Sequence, residues 1–379
     1  MLSFFTYGRS YDPSESIVYS QPTFQNFLLL QNLGEAGGSK DSWLGEGFSH
    51  LPRPYNSFLK EALMRILITG SSGQIGTNLG LHLQSHGHYV FGIDKRPNSW
   101  TTEIETLLQD LSTPQRSFNK GIGHVEYPPD LDAVVHFAAH AKVHELVEQP
   151  DRALENITMT FNVLEFCRQN NLPLIFSSSR EVYGDIHRYI TEESYADFAF
   201  TESPYSASKI SGEALIYSYA QCYGLRYLVF RFSNVYGRYD NDLERMERVI
   251  PLFIRKIGNR DPITVYGEKK VLDFTYIDDC VGGVARGLER LVSGEIENHT
   301  INLAFGQGNS LVNMAKFIGE ALGIEPDMTI EPARVGEVTH YVANIGKARA
   351  LLDYTPTTSL RDGIHKAVAW STAWWEGNR

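Results

Sequence analysis

Arg65-Ile-Leu-Ile-Thr69-Gly70-Ser-Ser72-Gly73-Gln74-Ile75-Gly76 reads as a strand, a turn and the start of a helix. The apolar run before Gly70 has the branched side chains of a buried strand. The stretch Ile75–His86 then takes up helical spacing. Glycines between the two let backbone amides reach a pyrophosphate at a helix N-terminus, where the helix dipole favours an anion. A Cβ there holds the phosphate off. The segment therefore predicts a dinucleotide cradle made by Gly70, Ser72, Gly73, Gln74, Ile75 and Gly76. A bare glycine triplet is a weak signal; the strand before it and the helix after it make it specific.

Working outward, strands are expected at Arg65–Thr69, Tyr89–Ile93, Ala133–Phe137, Leu174–Ser177 and Arg226–Phe230, alternating with helices such as Ile75–His86, Asp151–Gln169 and Tyr205–Tyr223. That alternation predicts an α/β, Rossmann-type doubly wound parallel sheet with helices on both faces. After Asn234 the elements shorten around Pro251, Pro262, Pro332 and Pro356, as a smaller C-terminal substrate-binding cap requires. The expected division is 64–235 and 271–303 for the dinucleotide-binding domain, and 236–270 and 304–379 for the cap. Residues 1–63 mix aromatics with Gly, Ser and Pro without a sustained period. They read either as a poorly ordered extension, as sequence ahead of a true start at Met64, or as a small appended subdomain.

Asp94 ends the second strand, about 20 residues past the glycines, where a carboxylate meets the adenosine ribose hydroxyls. An acid here repels a 2′-phosphate, so NAD is favoured over NADP, although Lys95 and Arg96 follow at once. Asp110 and Leu111 are placed beside the adenine, with a helix-capping role for the acid as the alternative.

A net charge of −11 argues against a nucleic-acid partner. Cys167, Cys222 and Cys280 are odd in number and far apart, so neither a disulfide framework nor a zinc site is expected, and a reducing cytoplasm fits. No apolar run reaches the ~18–20 residues of a membrane span. His136, His140 and His144 have suggestive spacing, but a strand end and the segment after it need not bring them together; no metal is expected.

Tyr205-Ser-Ala-Ser-Lys209 places a phenol and an ammonium on one face of a helix that Ser203-Pro204 starts. The pattern alone is weak. With 20 tyrosines, about one YxxxK arises by chance, and Tyr266-Lys270 is a second copy, interrupted by Gly267. Position raises the first: the strand Leu174–Ser177 runs into Ser178-Ser179-Arg180-Glu181-Val-Tyr183-Gly184 at the sheet edge where such folds bind ligands. A free tyrosine titrates near ~10, so Lys209 and a cationic nicotinamide are each expected to lower Tyr205. Ser179 is placed on the same substrate hydroxyl.

The glycine loop, Asp94, His136-Phe-Ala138-Ala139, Asn156, Ser177–Gly184, Tyr205/Lys209, Arg231-Phe-Ser-Asn234-Val-Tyr-Gly237, Val265-Tyr266-Gly267, Asp273-Phe274 and Arg334-Val-Gly-Glu337 occur in that order. In this the chain resembles the extended short-chain dehydrogenases, the NAD-dependent epimerase/dehydratase family of nucleotide-sugar enzymes, from residue 64 to about 375. The resemblance implies that Ala138, Ala139, Asn156 and Ser177 line the NAD site and that Asn234 and Arg334 hold a nucleotide diphosphate. It implies that Val265 and Tyr266 approach the base, and that α-helices 151–169 and 205–223 pair in a homodimer. Leu272 stands where the family usually has an arginine, which removes one phosphate contact; Arg238 is a candidate substitute.

The resemblance implies several reactions on a nucleotide-diphosphate sugar, a UDP-sugar foremost. A 4-epimerase needs only base, serine and cofactor. A dehydratase needs an acid pair after the serine, and Arg180 stands at the first of those positions. Glu181 matches the second, which uronate decarboxylases also have. Arg180 either pairs with a substrate carboxylate, making a uronic-acid sugar the substrate, or neutralises Glu181. The expectation is a 4-epimerase, with decarboxylase or dehydratase as the alternative and a non-catalytic NAD-binding protein behind both.

Overall fold

The computed structural model describes residues 63–113, 130–184, 192–193, 198–240, 248–333 and 338–377. The segment 1–62 and Arg334 lie outside the described residues.

Strand β1 (Arg65–Thr69) is an interior strand of a seven-stranded, all-parallel sheet. On one side it pairs with β2 (Tyr89–Asp94), which pairs with β3 (Glu105–Leu108). On the other lie β4 (Ala133–His136), β5 (Leu174–Ser179), β6 (Tyr227–Phe232) and β10 (His299–Leu303) in succession. The chain moves outward from β1 to β3, then crosses back to β4. The strand order thus reverses between β1 and β4, which opens a crevice at their carboxyl ends.

Why β1 reads as an unbroken apolar run is now clear, because both of its faces are covered. Ile66 and Ile68 enter one core with Leu79 and Leu83 of α1 (Gln74–Ser85) and Val281, Val284 and Leu288 of α6 (Ile277–Ser293). Leu67 points the other way, to Val163 and Phe166 of α3 (Asp151–Asn170) and Ile216 of α4 (Pro204–Tyr223). Alternate residues of one strand thus serve two helical layers.

Other strands form smaller sheets. The four-stranded one joins β7 (Asn234–Tyr236), β9 (Val271–Tyr276), β11 (Gly308–Ser310) and β13 (His340–Tyr341). The two-stranded one pairs β8 (Ile263–Tyr266) with β12 (Met328–Glu331). Around them pack α5 (Val249–Gly258), α7 (Leu311–Leu322) and α9 (Leu360–Gly377), whereas α8 (Gly346–Leu352) lies against α6 and β10, and the short α2 (Val143–Glu148) precedes α3. Among the described residues no helix is long and apolar enough to cross a membrane.

Candidate active site

The crevice begins at the glycine loop. Gly70 has φ +75°, and a Cβ on it would stand 2.7 Å from the Ala138 amide nitrogen at the end of β4. A Cβ on Gly76 would stand 2.2 Å from the Gly70 carbonyl oxygen, so only glycine lets α1 start this close to the loop. Gly73 caps α1 with no side-chain hydrogen bond, and the first turn carries no acid. The helix therefore offers open amides and an uncompensated dipole, which fits a pyrophosphate. Asp94 lies beside it, buried, with one carboxylate oxygen accepting from the Ser72 amide at 3.1 Å and the other from the Arg96 amide at 3.0 Å. Each oxygen keeps a lone pair for a ribose hydroxyl. The Ser72 hydroxyl donates to the Arg96 carbonyl, so Ser72 shapes the loop.

Polar contacts continue across the strand tips. Thr69 Oγ1 and His136 Nδ1 share a hydrogen bond at 2.7 Å, and the Ser177 hydroxyl donates to the His136 carbonyl at 3.1 Å. Lys209 Nζ donates to the Ser177 carbonyl at 2.8 Å. Ser203 and Pro204 start α4 with a capping box, which places Tyr205 in its first turn and Lys209 one turn on. Both are buried, and Lys209 Nζ is 5.8 Å from the centre of the Tyr205 ring. Tyr205 lies beside Ser179, whose hydroxyl accepts from the Glu181 amide at 3.2 Å.

Electrostatics correct one expectation. Burial pushes the Tyr205 phenol up to about 12; the Ser179 hydrogen bond opposes this, while Glu181 adds to it. In the protein alone the lysine does not bring the tyrosine down. Lys209 is itself pulled down to about 8 by burial, with Glu213 working the other way. His136 falls to about 3, first through burial and then through Lys209, so it is a neutral spacer.

Arg180 Nη2 pairs with Glu181 Oε1 at 2.9 Å, in a short 3-10 turn, Arg180–Tyr183, that follows β5. The other nitrogen, Nη1, is buried with no hydrogen-bond partner among the described residues. The arginine does neutralise its neighbour, and one donor remains.

Several expected residues are held by contacts of their own within the protein. Asn156 is buried behind the crevice, where its amide donates to the His140 carbonyl and Ser208 Oγ and accepts from the His140 amide; it fixes the loop carrying Ala138 and Ala139. Asp110 accepts from the amide and hydroxyl of Ser112, while Leu111 is a core side chain. Asn234 donates to the Asp273 carbonyl at 2.8 Å. Val265 is wholly buried in the core, with Tyr266 closing β8. The chain then turns at Gly267, whose carbonyl accepts from the Lys270 amide, so Tyr266 and Lys270 share no helix face. Arg238 pairs with Asp278 at 2.7 Å, and Leu272 is a buried core residue. His136, His140 and His144 have separate partners, Thr69, Glu155 and Glu148.

One residue was not anticipated. Arg248 Nη1 donates to Gln74 Oε1 at 2.8 Å and to Asp240 at 3.1 Å, while its side chain stays 44% exposed. It brings a cation to the start of α1 from 174 residues away, a distance no motif spacing spans.

The sequence model of the NAD dependent epimerase/dehydratase family matches residues 66–304. The UDP-glucose 4-epimerase of Corynebacterium glutamicum is 30% identical over 326 residues, covering 82% of this chain and 96% of that protein. Among solved structures, the UDP-glucose 4-epimerase of Thermotoga maritima with UDP-glucose aligns with a TM-score of 0.73 at 26% identity, over 82% of this chain and 100% of that one. The UDP-glucuronic acid 4-epimerase of Bacillus cereus, in complex with UDP-glucuronic acid and NAD, aligns with a TM-score of 0.72 at 26% identity and the same coverage. The matched span runs from β1 to the end of β10 and contains the whole crevice, and the chain belongs to the NAD-dependent epimerase/dehydratase family.

Proposed function

We propose that this protein is an NAD-dependent nucleotide-sugar 4-epimerase acting on a UDP-sugar. One observation carries the choice of reaction: Glu181, the acid beside the catalytic serine, is ion-paired with Arg180. Elimination of water or loss of a carboxylate calls for a free acid or an added polar group here. The groups left are Tyr205, Lys209 and Ser179, which are sufficient to take a proton from a hydroxyl and give it back. The relatives' names point the same way.

NAD, when bound, supplies the acceptor and later the donor of the C4 hydride, and its cationic nicotinamide adds the charge that lowers Tyr205. The chain's own residues handle the proton. Ser179 Oγ and Tyr205 Oη hold the C4 hydroxyl; the ionised phenol takes its proton and later returns it to the same oxygen. Lys209, tied to the Ser177 carbonyl, holds positive charge beside the phenolate. Inversion requires the nucleotide half to stay fixed while the sugar presents its other face, a task we assign to the cap, 236–270 and 304–379. Arg248, held at the start of α1 by Gln74, is the cation available to an anionic ligand there.

A second reading concerns the sugar. The unpartnered Arg180 Nη1 favours a uronic acid, since it can give a charge-assisted hydrogen bond to a sugar carboxylate. Incubating the protein with UDP-, dTDP- and GDP-sugars, followed by mass and NMR analysis, tests both. An isomer of unchanged mass is expected, and loss of carbon dioxide or water sinks the epimerase. On the uronate reading, Arg180→Ala slows UDP-glucuronate by about 10–100-fold relative to UDP-glucose; equal rates with both sugars, untouched by the substitution, refute it.

Helix α3 exposes Leu154 and Phe161, seven residues apart on one face, and α4 exposes Tyr223; this apolar surface supports a homodimer through these helices. Sedimentation showing only monomer at micromolar concentration overturns it.

A further inference from the structure

Tyr205, Lys209 and Glu213 recur every fourth residue along α4, and all three are buried. Glu213 is the member with no part in the chemistry so far. Its Oε1 accepts from Arg231 Nε at 2.9 Å and from the Ser178 hydroxyl at 2.5 Å; its Oε2 accepts from Arg231 Nη2 at 2.6 Å. Arg231 and Ser178 face each other in register on β6 and β5. The remaining Arg231 nitrogen, Nη1, donates to Tyr183 Oη at 3.1 Å and to the Glu193 carbonyl at 2.8 Å. Tyr183 in turn donates to Asn302 on β10.

We propose that Glu213 and Arg231 are positioning residues: their two-point buried ion pair locks the helix carrying Tyr205 and Lys209 to the strand tip carrying Ser177 and Ser179.

The first reason is that such a pair is a poor device for stability alone. Taking both charges out of water costs about as much as their attraction returns, and apolar residues of similar volume hold a helix to a sheet equally well. A two-point guanidinium–carboxylate contact adds direction and register. Proton transfer needs these, because donor and acceptor must stay within about 0.5 Å of hydrogen-bonding geometry.

The second reason is location. Ser178, held by Glu213, lies between Ser177, whose carbonyl accepts from Lys209, and Ser179, whose hydroxyl lies beside Tyr205. Gly212, the residue before Glu213, lets α4 approach so closely that a Cβ there would stand 2.6 Å from the Phe176 ring on the same strand. Helix and strand are thus clamped by shape and by charge at one level.

The pair also bears on Lys209. The charged or titratable groups facing the ammonium are Tyr205 and Glu213 on its own helix and the neutral His136 on β4. Arg231 on β6 acts through Glu213, and Arg180 and Glu181 lie beyond the tyrosine. Thr160 and Asn156 of α3 bring no charge. Glu213 is the group that opposes the effect of burial on Lys209. Removing its charge lowers Lys209 further, so the ammonium is lost at a lower pH.

The proposal rests on Tyr205 and Lys209 being the proton-transfer pair, so the full-length Tyr205→Phe variant runs beside the test. Glu213→Gln and the paired apolar variant Glu213→Met/Arg231→Met are compared with wild type for kcat, KM, the alkaline limb of kcat and Tm. For Glu213→Gln the expected result is a kcat about 100-fold lower with KM within about threefold, and an alkaline limb moved down by about one pH unit. The double variant should recover most of the lost Tm while kcat stays at least about 30-fold low. A folded double variant within threefold of wild-type kcat overturns the proposal. So does a Glu213→Gln variant that loses activity only in proportion to its unfolded fraction, with the alkaline limb in place. If Tyr205→Phe is itself active, the assignment of the proton-transfer pair fails instead.

Discussion

Tyr205→Phe lowers kcat about 10³- to 10⁴-fold and leaves NAD affinity and Tm close to wild type. The phenol oxygen is the only atom removed. It is buried beside Ser179 and stands one helical turn from an ammonium already tied to the Ser177 carbonyl. No neighbour takes over its role: Ser179 Oγ is bonded to the Glu181 amide, and Glu181 is paired with Arg180. Burial pushes the phenol up to about 12 in the protein alone, so proton transfer at neutral pH depends on charge arriving with the ligands. A spectroscopic titration of wild type minus Tyr205→Phe should therefore show one tyrosine whose ionisation moves to lower pH when NAD is added. A variant that keeps a tenth of wild-type kcat would remove Tyr205 from the mechanism.

Gly76→Ala abolishes useful NAD binding, with affinity falling by about 100-fold or more, which is about 2.7 kcal/mol. The added Cβ would meet the Gly70 carbonyl oxygen at 2.2 Å and Ser71 Cα at 2.9 Å. Both are backbone atoms and cannot swing aside, so α1 must retreat from the loop and carry its open amides away from the phosphate site. The Gly70 amide also donates to the Ile93 carbonyl at 2.7 Å, so movement here disturbs the strand end that presents Asp94. Gly282→Ala is the control: it lies in α6 with nothing within 4 Å of its Cβ. It should be neutral or slightly stabilising, by about 0.5–1 kcal/mol. Calorimetry with NAD and a thermal melt read both. Wild-type NAD affinity in Gly76→Ala would mean that the cradle lies elsewhere.

Much of this was legible in the sequence where one local pattern determines the outcome. The run Ile66–Ile68 can only be a strand covered on both faces, and Ser203-Pro204 can only start a helix where Tyr205 stands. Strand β3 was not legible: Glu105–Leu108 is a sheet edge with exposed ends, so alternation and apolar content are both weak. The Arg180–Glu181 pair was one of two readings of the sequence, and the 3-10 turn that brings the adjacent side chains together supplies it. Val265 carried a motif position whose side chain the core needs. Arg248 reaches Gln74 only through the tertiary fold. The expected lowering of Tyr205 by Lys209 does not appear in the protein alone, because burial is the largest effect on the phenol and disfavours its ionised form.

The central claim is that a hydride leaves C4 of a bound sugar and returns to the same carbon while Tyr205 handles the hydroxyl proton. A UDP-sugar carrying deuterium at C4, turned over in ordinary water and read by NMR, tests it most directly. The account predicts a C4-inverted product that keeps its deuterium at C4, formed without net reduction of NAD. Deuterium washed out to solvent, or product inverted at another carbon, would contradict it.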